Sequence, residues 1–220
     1  MKIGIAAATQ FEIQPAIDFL KKHDYVIRPR NFEIVITGIG AISTTYQLSK
    51  FIYEQKPGYI VQAGIGGTFT ETFQPGAVVI IKDEVMGDLG VEEKLDFRDV
   101  FDLGLMRPSM SPFMHKRLTN PYLGEHDTYA LPSASGITVN EITTRPDRIK
   151  LLAAKYNCEI ESMEGAALHY VCLAEQIPFI QLRAVSNYIG DRDKNNWKLQ
   201  QSIENLNQKL IRIIQEIPLT

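Results

Sequence analysis

The sequence is poor in the residues that build stapled or metal-held folds. Its 220 residues include two cysteines, Cys158 and Cys172, with no CxxC pair and no Cys/His cluster. That argues against a zinc site and against a disulfide framework. Both cysteines lie in apolar stretches, where reduced, partly buried thiols are expected. The four histidines, His23, His115, His126 and His169, are scattered and make no HExxH-type pattern. Long hydrophobic runs are missing too. Nothing approaches the ~20 apolar residues that span a bilayer. The apolar start, residues 1–8, is too short for a signal-peptide core and is interrupted by Gln10 and Glu12. A cytoplasmic address without membrane attachment is the expectation. Charge of one sign is also lacking. With 23 basic and 26 acidic residues the net charge is -3, which supplies no electrostatic reason to bind nucleic acid. The 15 glycines and 11 prolines are too few for a low-complexity chain.

What is present is an ordinary globular composition, 45% hydrophobic and 22% charged, over a length that suits one domain spanning 1–220. Apolar runs at 3–8, 34–37, 59–63, 77–81 and 179–185 read as strands buried on both faces. Helices are predicted over 43–54, 165–176 and 196–216. Another is predicted to begin near Thr144, where Thr144 and Asp147 have capping-box spacing and Pro146 suits a first turn. Alternation of strand and helix predicts an α/β fold with a central sheet. Residues 86–129, rich in Gly, Pro, Asp and Phe, break the alternation, and long irregular segments of this kind often serve function.

Two strands are followed by glycine clusters, Gly38-Ile39-Gly40 and Gly64-Ile65-Gly66-Gly67, both expected as turns. A dinucleotide site is disfavoured. The third position of a GxGxxG pattern is Ser43, and no helix follows the second cluster. Plain tight turns remain open beside turns whose backbone approaches a small ligand, because glycine has no Cβ to block contact.

Glu12, the glycines after Ala63, Glu161-Ser162-Met163-Glu164-Gly165-Ala166-Ala167 and Ser186-Asn187 occur in an order and spacing that resembles the purine nucleoside phosphorylase and nucleosidase superfamily. The resemblance runs over nearly the whole chain. It implies a three-layer α/β/α fold around a central mixed sheet, a homo-oligomer built on dimers, a small-molecule nucleoside substrate, and no cofactor or metal. It also implies cleavage of an N-glycosidic bond. Such cleavage passes through an oxocarbenium-like ribose, so the enzyme must position a nucleophile, hold the sugar and neutralise the departing base.

The resemblance assigns roles residue by residue. Glu12 would orient and activate water, as a carboxylate can by accepting its proton. Glu164 would clamp two ribose hydroxyls with its two oxygens. Met163 would contact the ribose through its thioether. Gly64, Ile65 and Gly66 would line base and sugar, and Val139 falls near a base-flanking position. Adenine nucleosidases of the superfamily carry Asp where this chain has Asn187. An amide can donate to a 6-oxo group and accept from a protonated N7, which favours a 6-oxopurine.

Phosphorylases of the superfamily hold phosphate with arginines in the first glycine loop and just before the second, where this chain has no Arg. Phosphate needs cationic or multiple N–H donors, so water is the expected nucleophile. Met86-Gly87-Asp88-Leu89-Gly90, the stretch 97–104, Ser186-Asn187-Tyr188, Arg192 and Asn196-Trp197 resemble the futalosine hydrolase subfamily. That implies release of hypoxanthine from futalosine in menaquinone biosynthesis. The substrate's 5′ benzoate would meet a basic residue, Arg98 or Arg192. An adenine nucleosidase of the same superfamily and a non-catalytic nucleoside-binding protein are the alternatives.

Overall fold

Side-chain alternation assigns the faces of the sheet. The computed structural model describes residues 1–23, 31–94, 96–124, 129–191 and 193–217. Ile3, Ile5 and Ala7 on strand β1 (Lys2–Ala7) face one way, into a core with helices α1 (Gln10–Lys22) and α5 (Leu199–Glu216). Ala6 faces the other way, against α2 (Ala41–Gln55) and α4 (Gly165–Ala174). The same parity holds on β3 (Tyr59–Thr68), where Val61 and Ala63 join the first core and Ile60 the second. On β10 (Phe179–Tyr188), Ile180, Leu182 and Ala184 oppose Phe179. Strands with both faces covered read as near-continuous apolar runs, and the layers are helix, mixed sheet and helix as expected.

The remaining elements are β2 (Asn31–Ile36), β4 (Val78–Met86), β5 (Gly90–Glu93), β6 (Asp96–Asp99), β7 (Leu118–Thr119), β8 (Ser133–Thr138), α3 (Pro146–Tyr156) and β9 (Ile160–Ser162). From β2 the sheet runs through β1 to β3, which pairs with both β10 and β9. From β10 the pairing continues through β4 and β8 back to β9, so five strands close on one another. β5 and β6 form a separate antiparallel hairpin.

Three expectations are corrected. The second glycine cluster is not a turn, because Gly64, Gly66 and Gly67 lie inside β3. They are glycines because neighbouring groups press on the strand: a Cβ on Gly66 would stand 2.8 Å from the Glu161 carbonyl oxygen. The helix after Thr144 is capped instead by Arg145, with Pro146 in its first turn and no side-chain cap bond. Residues 86–129 contain three short strands. Their local pattern is weak because long-range groups hold them: Lys116 and Lys155 converge on Asp99 and Asp102. Those two ammonium groups hold the Asp102 carboxyl well below its usual range. The first glycine cluster is a turn, with positive φ at Gly38 and Gly40.

Both cysteines are buried free thiols, as expected, and burial pushes Cys158 up to about 12. No helix among the described residues is long and apolar enough to cross a membrane.

The start of α4 is built around a buried acid. Glu84 is fully buried, accepts from Gln181 Nε2 at 2.9 Å and from Thr138 Oγ1 at 3.0 Å, and burial raises it to about 7. A Cβ on Gly165 would stand 1.8 Å from Glu84 Oε1 and 2.5 Å from Gln181 Nε2. Gly165→Ala is therefore expected to destabilise the protein by about 2–3 kcal/mol, the cost of overpacking a filled core. Urea unfolding midpoints measure it, and an unchanged midpoint would contradict this packing.

Candidate active site

Glu12 stands in the first turn of α1 rather than in a loop. Thr9 precedes the helix, and its backbone N–H and hydroxyl both donate to Glu12 Oε2 at 2.9 Å. The other oxygen, Oε1, accepts from the Ile65 backbone N–H at 3.2 Å. Three donors therefore fix a carboxylate that is only 7% exposed. The helix beneath it is irregular, with non-helical dihedrals at Ile13 and Pro15 two residues on. Asn207 of α5 repairs the break. Its Nδ2 donates to the Glu12 carbonyl at 2.8 Å, and its Oδ1 accepts from Ala16 N–H at 3.0 Å. A side-chain amide thus replaces the missing rung of the helical ladder and anchors Glu12 from below.

Glu164 sits at the N-terminal boundary of α4. Its Oε1 accepts from the Gly40 N–H at 3.1 Å, and its Oε2 lies 3.7 Å from Arg183 Nη2. Arg183 is 1% exposed, in the middle of β10, and donates to Gln62 Oε1 at 2.8 Å. A buried guanidinium needs a counter-charge, and here the carboxylate beside it is Glu164. Gly64 makes room for the cluster. A Cβ there would lie 2.2 Å from Arg183 Nη1 and 3.2 Å from Glu12 Oε1. The two glutamates and the arginine therefore gather around one bare stretch of β3.

Beside them opens a cavity of about 310 Å³, lined by Glu12, Ile65, Gly66, Met163, Glu164 and Asn187 among others. Its walls are mostly apolar, with Phe11, Ile142, Ile189 and Trp197 among them. Asn187 follows a bulge in β10. Its Oδ1 accepts from Ser186 Oγ at 2.7 Å and its Nδ2 donates to the Tyr188 carbonyl at 2.9 Å. One N–H and one lone pair of the amide are left for a ligand. Glu161 lines the same cavity, and burial raises its carboxyl above the ordinary value.

Six of the singled-out residues thus gather on one cavity, and Gly64, next to the Glu12 carboxylate, is not among its lining residues. Val139 does not reach it. It is 1% exposed, packs with Ile137 and Leu152, and lines a neighbouring polar cleft. Arg98 is exposed on β6, donates to the Asp102 carbonyl at 3.2 Å and is not among the cavity's lining residues. Arg192 lies outside the described residues. Sequence reasoning missed Arg183, Asn207 and Thr9. The available signal for Arg183 was a charge inside a mostly apolar strand, which is stable there only when paired. Nothing local distinguishes Asn207 from any helical Asn.

A family model described as the phosphorylase superfamily matches residues 2–217. A futalosine hydrolase of Thermus thermophilus is 25% identical over 200 residues, covering 86% of this chain and 84% of that protein. A 5'-methylthioadenosine/S-adenosylhomocysteine nucleosidase of Bacillus subtilis is 26% identical over 188 residues, covering 82% and 79%. The solved futalosine hydrolase of Helicobacter pylori superposes with a TM-score of 0.79 at 15% identity, covering 99% of this chain and 98% of the other.

Proposed function

The chain belongs to the phosphorylase superfamily, and on that footing we propose that it is a nucleosidase that hydrolyses futalosine to hypoxanthine and dehypoxanthine futalosine. The observation that carries the reading is the fixing of Glu12 and Glu164 beside one cavity, with Arg183 paired to Glu164. Two aligned oxygens of Glu164 suit two adjacent ribose hydroxyls. Glu12, held by three donors, faces the same space and takes a proton from water as the base departs. Asn187 stabilises the leaving base, its oxygen accepting from N7–H and its N–H donating to the 6-oxo group. Buried polar groups reject a base with the opposite pattern, which is the basis for preferring hypoxanthine over adenine.

Hydrolysis rather than phosphorolysis is supported by the cavity wall. Among the described lining residues there is no Lys or Arg to hold a phosphate dianion. Arg183 is already engaged by Gln62 and Glu164. For the 5′ benzoate we keep Arg98 and Arg192 as the two basic candidates; Arg98 donates to the Asp102 carbonyl at 3.2 Å and is not among the cavity's lining residues, and Arg192 lies outside the described residues. Exposed Ile39, Ile42, Tyr46 and Tyr53 on and beside α2 form an apolar surface suited to a homodimer, which we take as the working assembly in the cytoplasm.

The test compares base release from futalosine, methylthioadenosine and inosine, resolved by chromatography. Hypoxanthine from futalosine is expected fastest. Preferential release of adenine would overturn the substrate, and release of no base from any of the three would overturn the hydrolase.

A further inference from the structure

A buried polar layer lies beneath the start of α4, outside the cavity. Glu84 on β4, Gln181 on β10 and His169 on α4 are each fully buried. Gly165 rests on the first two, and His169 follows it one helical turn later. Glu84 Oε2 accepts from Thr138 Oγ1, which in turn accepts from the Ala166 backbone N–H at 2.7 Å. Glu84 is thereby tied to the first turn of α4, directly after Glu164.

The layer is one hydrogen short. His169 Nδ1 lies 2.7 Å from the Leu118 carbonyl oxygen. A carbonyl only accepts, so Nδ1 carries the ring hydrogen and Nε2 of the neutral imidazole is a bare acceptor. Nε2 is buried without a hydrogen-bond partner among the described residues, and so is Gln181 Oε1. Gln181 stands between the two ends. Its Nε2 donates to Glu84 Oε1 at 2.9 Å, and its side chain also acts on His169. With Glu84 ionised, either orientation of the Gln181 amide sets its oxygen against another acceptor. One added proton repairs this. Placed on Glu84 Oε1, it is donated to the Gln181 oxygen after a half-turn of the amide, and the Gln181 NH₂ then donates to His169 Nε2. Every group of the layer is then paired and none is charged. The other position, His169 Nε2, would bury an imidazolium and a carboxylate together at greater cost. Burial raises Glu84 to about 7 and lowers His169 to about 4, which puts the proton on the acid.

We infer that Glu84 is a positioning residue held as the neutral acid: it fixes the start of α4 through Thr138 and Gln181, and leaves the charge of Arg183 to Glu164. The titratable and charged groups around it are Asp83 on β4, Arg183 on β10, His169 on α4 and Cys158 just before β9. Asp83 is paired with Arg117, and burial keeps Cys158 a neutral thiol. An ionised Glu84 would draw on Arg183, the counter-charge of Glu164. The value of Glu84 to catalysis rests on the ribose-clamp reading of Glu164, whereas its proton does not.

Glu84→Gln builds the neutral pattern in permanently. Its oxygen accepts from Thr138 and its NH₂ donates to Gln181. The first measurement is urea unfolding of the unmodified protein and this variant between about pH 5 and about pH 7. In that range the unfolded acid, with its ordinary value of 4.5, is ionised while the folded one keeps its proton. The folded state binds the extra proton, so stability falls as pH rises through this window. The unfolding constant of the unmodified protein should rise at least about 30-fold more than that of Glu84→Gln. Rises that agree within about threefold would show an ionised Glu84 and overturn the inference.

The second measurement is hydrogen exchange at Ala166, Ala167 and Leu168, whose N–H groups bond Thr138 and the Glu164 carbonyl. Amides of β1 serve as the reference. Glu84→Ala should speed exchange at least about 10-fold, the scale of one lost buried bond, and Glu84→Gln should not. Unchanged exchange in Glu84→Ala would remove the positioning role. Futalosine turnover, measured in parallel, should fall at least about 10-fold in Glu84→Ala and largely return in Glu84→Gln. An equal loss in both variants would overturn the link to Glu164. If the unmodified protein cleaves no nucleoside, the nucleosidase reading fails, and the unfolding and exchange measurements still decide the state and role of Glu84.

Discussion

Glu12→Gln is expected to lower hydrolysis by about 10³-fold while hypoxanthine still binds, because general-base catalysis by one positioned group contributes on that scale. The substitution keeps the side chain's shape and removes its ability to take a proton. Thr9 donates twice to Oε2, so the amide oxygen is expected there and the NH₂ opposite the Ile65 N–H. That leaves two donors facing each other and costs about 1–3 kcal/mol of stability, which unfolding measurements will separate from the catalytic loss. Asn207 still anchors the Glu12 backbone, so the helix start should hold its place. Base release under saturating substrate gives the rate, and calorimetry with hypoxanthine reports whether the cavity survives. Turnover within tenfold of the unmodified protein would remove Glu12 from the chemistry. Retained binding with lost turnover also separates an enzyme from a protein that merely holds nucleosides.

Glu164→Ala should fail on two counts. On the proposed reading the ribose loses the carboxylate that clamps its hydroxyls, and Arg183, 1% exposed, loses its neighbouring counter-charge. Removing one partner of a buried pair leaves an uncompensated charge and costs about 3–5 kcal/mol. The melting temperature should therefore drop together with kcat/KM. The double variant Glu164→Ala with Arg183→Met distinguishes the two causes. It removes both charges and fills the space with an apolar chain, so most of the lost stability should return. Activity should not return, since the sugar still lacks its clamp. Recovery of activity in the double variant would show that Glu164 matters only as a partner for Arg183.

The strands were legible because burial on both faces leaves a mainly apolar run, unbroken in residues 3–8 and interrupted in residues 179–185 only by Gln181 and Arg183. The glycines of β3 were misread for a related reason. Glycine usually marks a turn, but here Gly64 and Gly66 mark where a guanidinium and a neighbouring carbonyl press on an extended strand. The short strands between residues 86 and 129 were illegible, since a two-residue element such as β7 has too little length to show a period. Glu12, Met163, Glu164 and Asn187 were found through motif resemblance, and the cavity brings them together. Val139 was placed from a loose local match, and packing turned it into a neighbouring cleft.

By itself the sequence determined which residues of a strand share a face, because side-chain alternation along a strand is a local property with a period of two. It also determined the chemistry at hand, two carboxylates and an amide. The tertiary structure alone decided which groups meet. Arg183 reaches Glu164 and Gly64 because β10 lies beside β3 over its whole length. Glu161 and Asn187 flank Gly67 because β3 accepts β9 on one edge and β10 on the other at that register. Strand pairing joins residues far apart in the chain, and no local periodicity encodes a register between them.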